Sequence, residues 1–213
     1  HQDRIVFLGS SIFENELEKG YLEFAITSRW PDRDLTFRNL GWTGDNVFAE
    51  ARSTFSTPPT PYQQLFQQIR NAQPNHVLIA YGGIESQKGE EGLGQFIKGL
   101  EVIIDSVDAL GAQINAAAIA SVASKRKKRF ADLYTPVAQN GDDLYRDNGI
   151  HLNNDGYYHL AQVLERAFGW PERATKITLN ASKPNASANQ PARVVPGKDG
   201  KITFILEENL LPL

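Results

Sequence analysis

Short apolar runs alternate with longer segments of helical period over the first 170 residues of the chain. The runs IVFL, LTFRNL and HVLIAYGG predict strands at Ile5–Leu8, Leu35–Leu40 and His76–Gly83. The segments ELEKGYLEFAITSRW, PYQQLFQQIRNA and GLGQFIKGLEVIIDSVDAL predict the helices between and after them. Strands that alternate with helices form parallel sheets covered on both faces. The pattern therefore predicts an α/β fold, a three-layer α/β/α sandwich.

The pattern becomes irregular after Leu110. GAQI reads as a fourth strand, but the helical segment NAAAIASVASKRKKR follows at once and leaves almost no room for a βα loop, which normally takes about 2 to 6 residues. We therefore expect that a segment is missing between Ile114 and Asn115. A fifth strand is predicted at Phe130–Pro136, and NNDGYYHLAQVLERAFGW predicts the last helix.

The composition shifts to Thr, Asn, Ser, Pro and Gly beyond Trp170. Short strands are predicted at Lys176–Ala181 and Lys201–Glu208, and the Asp-Gly pair in VVPGKDGK predicts a hairpin connection. We therefore predict two parts. The first is an α/β domain over residues 1–170 with a central parallel five-stranded sheet, and the second is a small C-terminal β appendage over residues 171–213.

Composition and charge exclude several function classes. The formal net charge is −3, so no general electrostatic attraction to nucleic acid is expected. The run KRKKR (Lys125 to Arg129) is interpreted as the solvated end of a helix, where cations complement the helix dipole. No apolar run reaches the roughly 18 residues of a membrane span. The chain has no cysteine, which excludes disulfides, a thiol nucleophile and thiolate zinc sites.

The chain contains no methionine and begins with His1, which indicates a processed or trimmed product. The sequence leaves the compartment open between cytosol and periplasm, and we favour a periplasmic or secreted location, with which a removed export signal is compatible. The sequence does not indicate an oligomeric state.

Two segments far apart in the chain carry candidate chemistry. DNGIHLNNDGYYHLA places His151, one of four histidines, at the start of an amphipathic helix. IVFLGSSI runs an apolar strand into a Gly-Ser-Ser turn and a helix, where a hydroxyl side chain can lie beside N–H groups that stabilise an oxyanion. The pair indicates a serine hydrolase. The alternatives are that Ser11 only caps the helix and that His151 is a structural hydrogen-bonding residue.

Four short motifs resemble blocks of the SGNH (GDSL-like) hydrolases, in family order. IVFLGSSI resembles the first block, with Ser11 at the nucleophile position and Ser10 where Asp is usual. RNLGWTGDNV resembles the second block, with Gly44 at the oxyanion glycine, and DNGIHLNNDGY resembles the fifth, with His151 as the base. YGGIES resembles the third block, usually Gly-x-Asn-Asp/Glu, with Gly82, Gly83, Ile84 and Glu85 at those four positions.

The resemblance implies a flavodoxin-like sheet and acyl transfer without a metal or cofactor. Ser11 would attack an ester carbonyl, His151 would take the proton, and Asp147 or Asn148 would orient the imidazole. The N–H groups of Ser11 and Gly44 would face the oxyanion. The implied substrates are small-molecule or carbohydrate esters, O-acetyl groups included.

Two positions depart from the family pattern. Ile84 stands where the family carries an oxyanion Asn, and its side chain cannot donate a hydrogen bond. The usual spacing before His151 lands on Asn148, with Asp147 one residue earlier. The alternative function is therefore a catalytically silent SGNH-like binding or scaffold module. For Glu85 we expect a structural role, holding its loop by hydrogen bonds.

Overall fold

A parallel sheet of five strands forms the centre of the protein. The computed structural model describes residues 2–54, 58–116, 120–139, 145–146, 151–171, 177–180, 185–188, 192–196 and 202–206. The strands of the sheet are β1 (Gln2–Gly9), β2 (Asp34–Asn39), β3 (His76–Ala80), β4 (Gln113–Ala116) and β5 (Arg129–Phe130). They lie in the order β2-β1-β3-β4-β5, and every neighbouring pair is parallel. The predicted fold class is confirmed.

Eight helices in the described part of the chain surround or follow this sheet. They are α1 (Ser11–Glu14), α2 (Glu16–Lys19), α3 (Tyr21–Arg29), α4 (Pro61–Ala72), α5 (Gly89–Asp108), α6 (Ala120–Lys125), α7 (Tyr134–Ala138) and α8 (Asn154–Ala167). Two short 3-10 helices cover Glu50–Thr54 and Glu85–Lys88. The single helix predicted before β2 is divided instead, because Gly20 adopts a left-handed conformation with φ of 70° that ends α2 and precedes α3.

The sheet has a hydrophobic core on each face. Alternate residues of β1 point to opposite faces, as the pleat of a strand requires, with Val6 and Leu8 in one core and Ile5 and Phe7 in the other. Helices α4, α5 and α6 pack on the first face, and α3, α7 and α8 pack on the second. This arrangement gives the three layers that the alternation of strands and helices predicts.

The fourth strand lies two residues later in the chain than predicted, at Gln113–Ala116 instead of over GAQI at 111–114. Asn115 and Ala116, which we expected in a helix, pair instead with Leu78 and Ile79 of β3, and the helix begins at Ala120. The predicted helix start is wrong because the β3 edge offers backbone partners that local composition does not reveal. Strand β4 passes through Ile114 and Asn115, so the apparent lack of room for a βα loop, on which the expected missing segment rested, does not arise at this point. The missing segment itself stays a prediction.

The fifth strand is shorter than predicted. Within the described residues this strand consists of Arg129 and Phe130, which pair with Asn115 and Ala116 of β4, and Tyr134–Ala138 forms α7 instead of the end of a strand. The side chain of Asp132 accepts a hydrogen bond of 2.9 Å from the Thr135 N–H, which satisfies a free donor at the start of this helix. Pro136 lies within the first turn, where its missing N–H costs nothing.

The basic run at the end of α6 faces α5. Lys125 contacts Glu101 at 2.8 Å, Arg126 pairs with Asp105, and Lys128 pairs with Asp108. The carboxylates of α5 therefore neutralise much of a run that would otherwise form a basic patch.

Three short antiparallel pairs complete the described structure. They are β6 (Tyr145–Arg146) with β7 (His151–Leu152), β8 (Ile177–Asn180) with β9 (Asn185–Ala188), and β10 (Ala192–Pro196) with β11 (Ile202–Leu206). Strands β8 and β11 lie where the C-terminal sequence predicts strands, whereas the division of the chain at residue 170 stays a prediction. No helix in the described ranges is both long and apolar enough to cross a membrane.

Candidate active site

The candidate site lies where the sheet changes its direction of winding. Strands β1 and β3 are neighbours, but β2 lies beyond β1 whereas β4 and β5 lie beyond β3. The connections leaving β1 and β3 therefore diverge, and in open α/β sheets such a point forms a crevice at the carboxyl ends of the strands. Ser11 follows β1, Gly44 follows β2, and Gly83 to Glu85 follow β3. Three of the four motifs thus meet at this edge.

Ser11 is the first residue of α1 and is half-buried. The position that caps α1 is Ser10, whose side chain makes no capping hydrogen bond. The alternative that Ser11 caps the helix is therefore wrong. The turn before it requires glycine, because a Cβ on Gly9 would lie 2.3 Å from the Ala80 carbonyl oxygen. This close approach directs the chain from β1 over the end of β3.

The loop that carries Gly44 is fixed to β1 and α1. The Leu40 N–H donates to the Phe7 carbonyl at 2.8 Å, and the Trp42 N–H donates to the Gly9 carbonyl at 3.1 Å. The Thr43 N–H donates to the Glu14 carboxylate of α1 at 2.7 Å. These bonds fix the loop relative to the start of α1.

Asn39 and Gly41 bring the same loop close to α1. The Asn39 amide donates to the Phe13 carbonyl at 2.5 Å, and its oxygen accepts from the Gly41 N–H at 2.8 Å. A Cβ on Gly41 would lie 2.4 Å from the Glu14 nitrogen, so only glycine allows this approach. Gly44 itself is exposed and has φ of 79°, which glycine adopts without strain.

A buried arginine holds both ends of the Gly44 loop. Arg52 Nε lies 2.7 Å from Asp45 Oδ2, and Arg52 Nη2 donates to the Leu40 carbonyl at 2.6 Å. Its guanidinium also lies over the Trp42 ring, 5.4 Å from the ring centroid. Asp45 is fully buried, so this ion pair is shielded from water. The guanidinium therefore contacts the loop both before and after its exposed turn, Thr43–Gly44.

Glu85 joins the second and third motifs. Its carboxylate accepts from the Val47 N–H at 2.9 Å and from the Gly82 N–H at 3.0 Å. The structural role that the sequence suggested for this side chain agrees with these bonds. Gly83 is exposed and Ile84 is half-buried, directly before the 3-10 helix Glu85–Lys88.

Two backbone N–H groups at this edge are candidates for stabilising an oxyanion. No hydrogen bond between described residues uses the N–H of Ser11 or of Gly44. Both residues lie at the carboxyl edge of the sheet, and the Gly44 loop is hydrogen-bonded to the helix that Ser11 begins. Ile84, by contrast, offers only an apolar side chain.

His151 is brought to α1 by tertiary contacts. It is half-buried in β7, and β7 lies against α1, which begins with Ser11. Asp147 and Asn148, the two residues predicted to orient the imidazole, lie outside the described residues. The choice between them stays a prediction.

Several residues that support the candidate site are not evident from the sequence. Arg52 makes a buried hydrogen bond to the Leu40 carbonyl, Tyr157 makes a partly buried one to the Ile12 carbonyl, and Glu16 is itself buried. Arg52 follows Asp45 by seven residues, but oppositely charged residues at such a spacing are common on protein surfaces. Their burial is what distinguishes this pair, and burial depends on distant parts of the chain.

Comparison with known proteins gives similarity in structure alone. No family model and no curated protein matches the chain. A catalytic mutant of an acetylxylan esterase from Geobacillus stearothermophilus superposes with a TM-score of 0.63 at 14% identity, over 79% of this chain and 95% of that one. A GDSL-like lipase from Bacteroides thetaiotaomicron superposes with a TM-score of 0.54 at 16% identity, over 78% of this chain and 88% of that one.

A gut microbial diltiazem-metabolizing enzyme superposes over 96% of this chain, with a TM-score of 0.69 at 19% identity. This chain spans 56% of that enzyme. Taken with the strand order and the position of the site, these similarities show that the chain has the fold of the SGNH (GDSL-like) hydrolases.

Proposed function

We propose that this protein is a serine ester hydrolase with Ser11 as nucleophile and His151 as general base. One observation carries the proposal: α1, which begins with Ser11, lies against the His151 strand and is hydrogen-bonded to the Gly44 loop. A nucleophile, a base and oxyanion donors are the minimum set for acyl transfer. The esterases among the structural neighbours agree with this reaction class.

The reaction proceeds in two halves. Ser11 Oγ attacks the ester carbonyl carbon while its proton passes to His151, and the carbonyl oxygen becomes an oxyanion that faces the N–H groups of Ser11 and Gly44. His151 then gives the proton to the departing alcohol, which leaves an acyl group on Ser11. Water, deprotonated by His151, attacks this acyl group, and return of the proton to Ser11 releases the acid. Asp147 is our choice for the group that orients His151, because a carboxylate stabilises the imidazolium and an amide does not.

Acyl esters with small acyl groups, carbohydrate acetates included, are the proposed substrates. The support is that two neighbours are acetylxylan esterases and that the Gly44 turn is exposed at the sheet edge. A carbohydrate leaving group needs such an open edge because it is bulky and well hydrated.

The direct test compares hydrolysis of p-nitrophenyl acetate and butyrate by the wild type and by Ser11→Ala. We expect the variant to lose at least about 100-fold in kcat, because the nucleophile is gone. Ser124→Ala is the matched control, since this serine is exposed on α6. Equal rates in the wild type and the Ser11→Ala variant would contradict the proposal.

A second candidate function is a binding module that has lost catalysis, and Ile84 favours it. Removal of one oxyanion donor costs about 100- to 1000-fold in turnover, so a site that lacks the donor at position 84 would be a weaker catalyst than its relatives. A fluorophosphonate probe separates the two functions, because it reacts with an activated serine even where turnover is slow. Labelling that is absent from the wild type would favour the binding module, and labelling that Ser11→Ala abolishes would favour the hydrolase.

A further inference from the structure

One buried tyrosine connects the segment of His151 to the helix of Ser11. Tyr157 lies in α8 with 1% of its surface exposed, and its hydroxyl donates to the Ile12 carbonyl of α1 at 2.8 Å. Ile12 directly follows Ser11. The Asn15 side chain, just after α1, lies near this hydroxyl and acts to lower its pKa, against the larger effect of burial. The tyrosine is therefore hydrogen-bonded to α1 next to Ser11.

The acceptor at Ile12 exists because α1 is so short. A helix leaves its last four carbonyl groups without a partner inside the helix, and α1 has only four residues. Its backbone therefore depends on outside donors for its orientation. Burial raises the pKa of Tyr157, so its hydroxyl stays neutral and keeps the proton that it donates.

The other end of this connection is fixed to His151 through a short, capped segment. Strand β7 ends at Leu152, and the Asn153 side chain accepts from the Gly156 N–H at 2.8 Å, which caps α8. Only five residues separate His151 from Tyr157, and both Leu152 and Asn153 between them are buried. A shift of Tyr157 relative to α1 is therefore a shift of His151 relative to Ser11.

We propose that Tyr157 is a positioning residue that sets the distance between Ser11 and His151 through its hydrogen bond to Ile12. This inference rests on the proposed hydrolase function. A misplacement of about 1 Å at a reacting pair can cost about 100-fold in rate, so one hydrogen bond at this point has a measurable effect. The ring of Tyr157 fills space in the core, and its hydroxyl holds α1, and with it Ser11, in place relative to His151.

The test uses Tyr157→Phe, which keeps the ring and removes the hydroxyl. We expect kcat for p-nitrophenyl acetate to fall about tenfold while KM stays within about twofold, because the loss affects alignment rather than binding. Tyr158→Phe is the matched control, since Tyr158 is the next residue of α8 and is exposed. A kcat of Tyr157→Phe equal to that of the wild type would overturn the proposal.

A second readout does not depend on catalysis. The NMR signals of the His151 ring, assigned by their absence in His151→Asn, should shift in Tyr157→Phe and stay in place in Tyr158→Phe. Unshifted signals would overturn the positioning role.

Should the wild type show no Ser11-dependent hydrolysis while the signals still shift, the proposed function fails and the positioning role stands. If Tyr157→Phe does not fold, Asn15→Ala loosens the same hydroxyl and should shift the same signals.

Discussion

Glu16 is a buried carboxylic acid that the sequence presents as part of an ordinary polar helix. It is 1% exposed, and one carboxylate oxygen accepts from the Leu22 N–H at 2.7 Å and from the Glu23 N–H at 3.1 Å. The other oxygen has no hydrogen-bond partner among the described residues. Burial outweighs these hydrogen bonds and raises the pKa of Glu16 to about 7.

This pKa predicts that Glu16 makes the protein less stable as the pH rises. The unfolded acid ionises near 4.5 and the folded acid near 7, so the stability present below pH 4.5 is lost as the pH rises to about 7. We expect the contribution of Glu16 to the free energy of unfolding to fall by about 2 kcal/mol between pH 5 and pH 8.

Urea denaturation of Glu16→Gln at these two pH values measures the contribution, because glutamine resembles the protonated acid and does not titrate. The variant should lose less stability than the wild type between pH 5 and pH 8. Glu18→Gln, on the exposed side of the same helix, is the control and should follow the wild type. Identical pH dependence in the wild type and Glu16→Gln would contradict the prediction.

Ile84 is the residue at which a single substitution should raise activity. The family resemblance places an oxyanion donor there, and the side chain lies half-buried at the candidate site. We expect Ile84→Asn to raise kcat for p-nitrophenyl acetate about tenfold, less than a fully preorganised donor supplies. Ile84→Leu is the control, because it changes shape without adding a donor. An equal gain in kcat in both variants would show that the gain comes from the changed side-chain shape and not from an added hydrogen-bond donor.

At the scale of elements, the Gly44 loop depends on the forked geometry of Arg52. Two different nitrogens of one guanidinium contact Asp45 and Leu40, and its central carbon lies over the Trp42 ring. A lysine ammonium is a compact charge. It cannot make both hydrogen bonds and also cover the Trp42 ring. Buried ion pairs are costly to break because the remaining charge stays out of water.

Arg52→Lys should therefore lower both stability and turnover. We expect a loss of about 2 kcal/mol in the free energy of unfolding and about tenfold in kcat, with a smaller effect on KM. Urea denaturation and steady-state kinetics measure the two effects. Arg38→Lys, exposed on β2, is the control. A variant with the stability loss but wild-type kcat would show that Arg52 stabilises the loop without positioning the Gly44 N–H.

At the scale of the whole molecule, strand order brings the motifs together. Ser11 and His151 are 140 residues apart in the chain, yet α1 lies against β7. The placement of β1 beside β3, with β2 on the outside, puts the carboxyl ends of three strands at one edge of the sheet. Helix α8 then packs on the same face as α3, which carries the last motif to this edge. The candidate site is thus a product of topology rather than of any one segment.

Periodicity and composition were sufficient for much of this architecture. The apolar runs of β1 and β3, the capped amphipathic helices α4 and α8, and the alternation of strands with helices predict the parallel sandwich, because these signals are local. The four motifs also indicate where the candidate residues lie in the chain. These predictions depend on side-chain spacing and turn chemistry, both of which a sequence displays directly.

Tertiary structure alone decided the rest. Asn115 joins a strand because β3 offers it partners, and the fifth strand ends early because Asp132 satisfies the start of α7. The burial of Glu16 and the contacts of Arg52 and Tyr157 likewise depend on residues distant in the chain or on packing against other elements. A sequence displays the period of its apolar residues, but it does not display which charged or polar group will lose its water. That loss, which sets the pKa of Glu16 and the strength of the buried hydrogen bonds, exists only once the layers have packed.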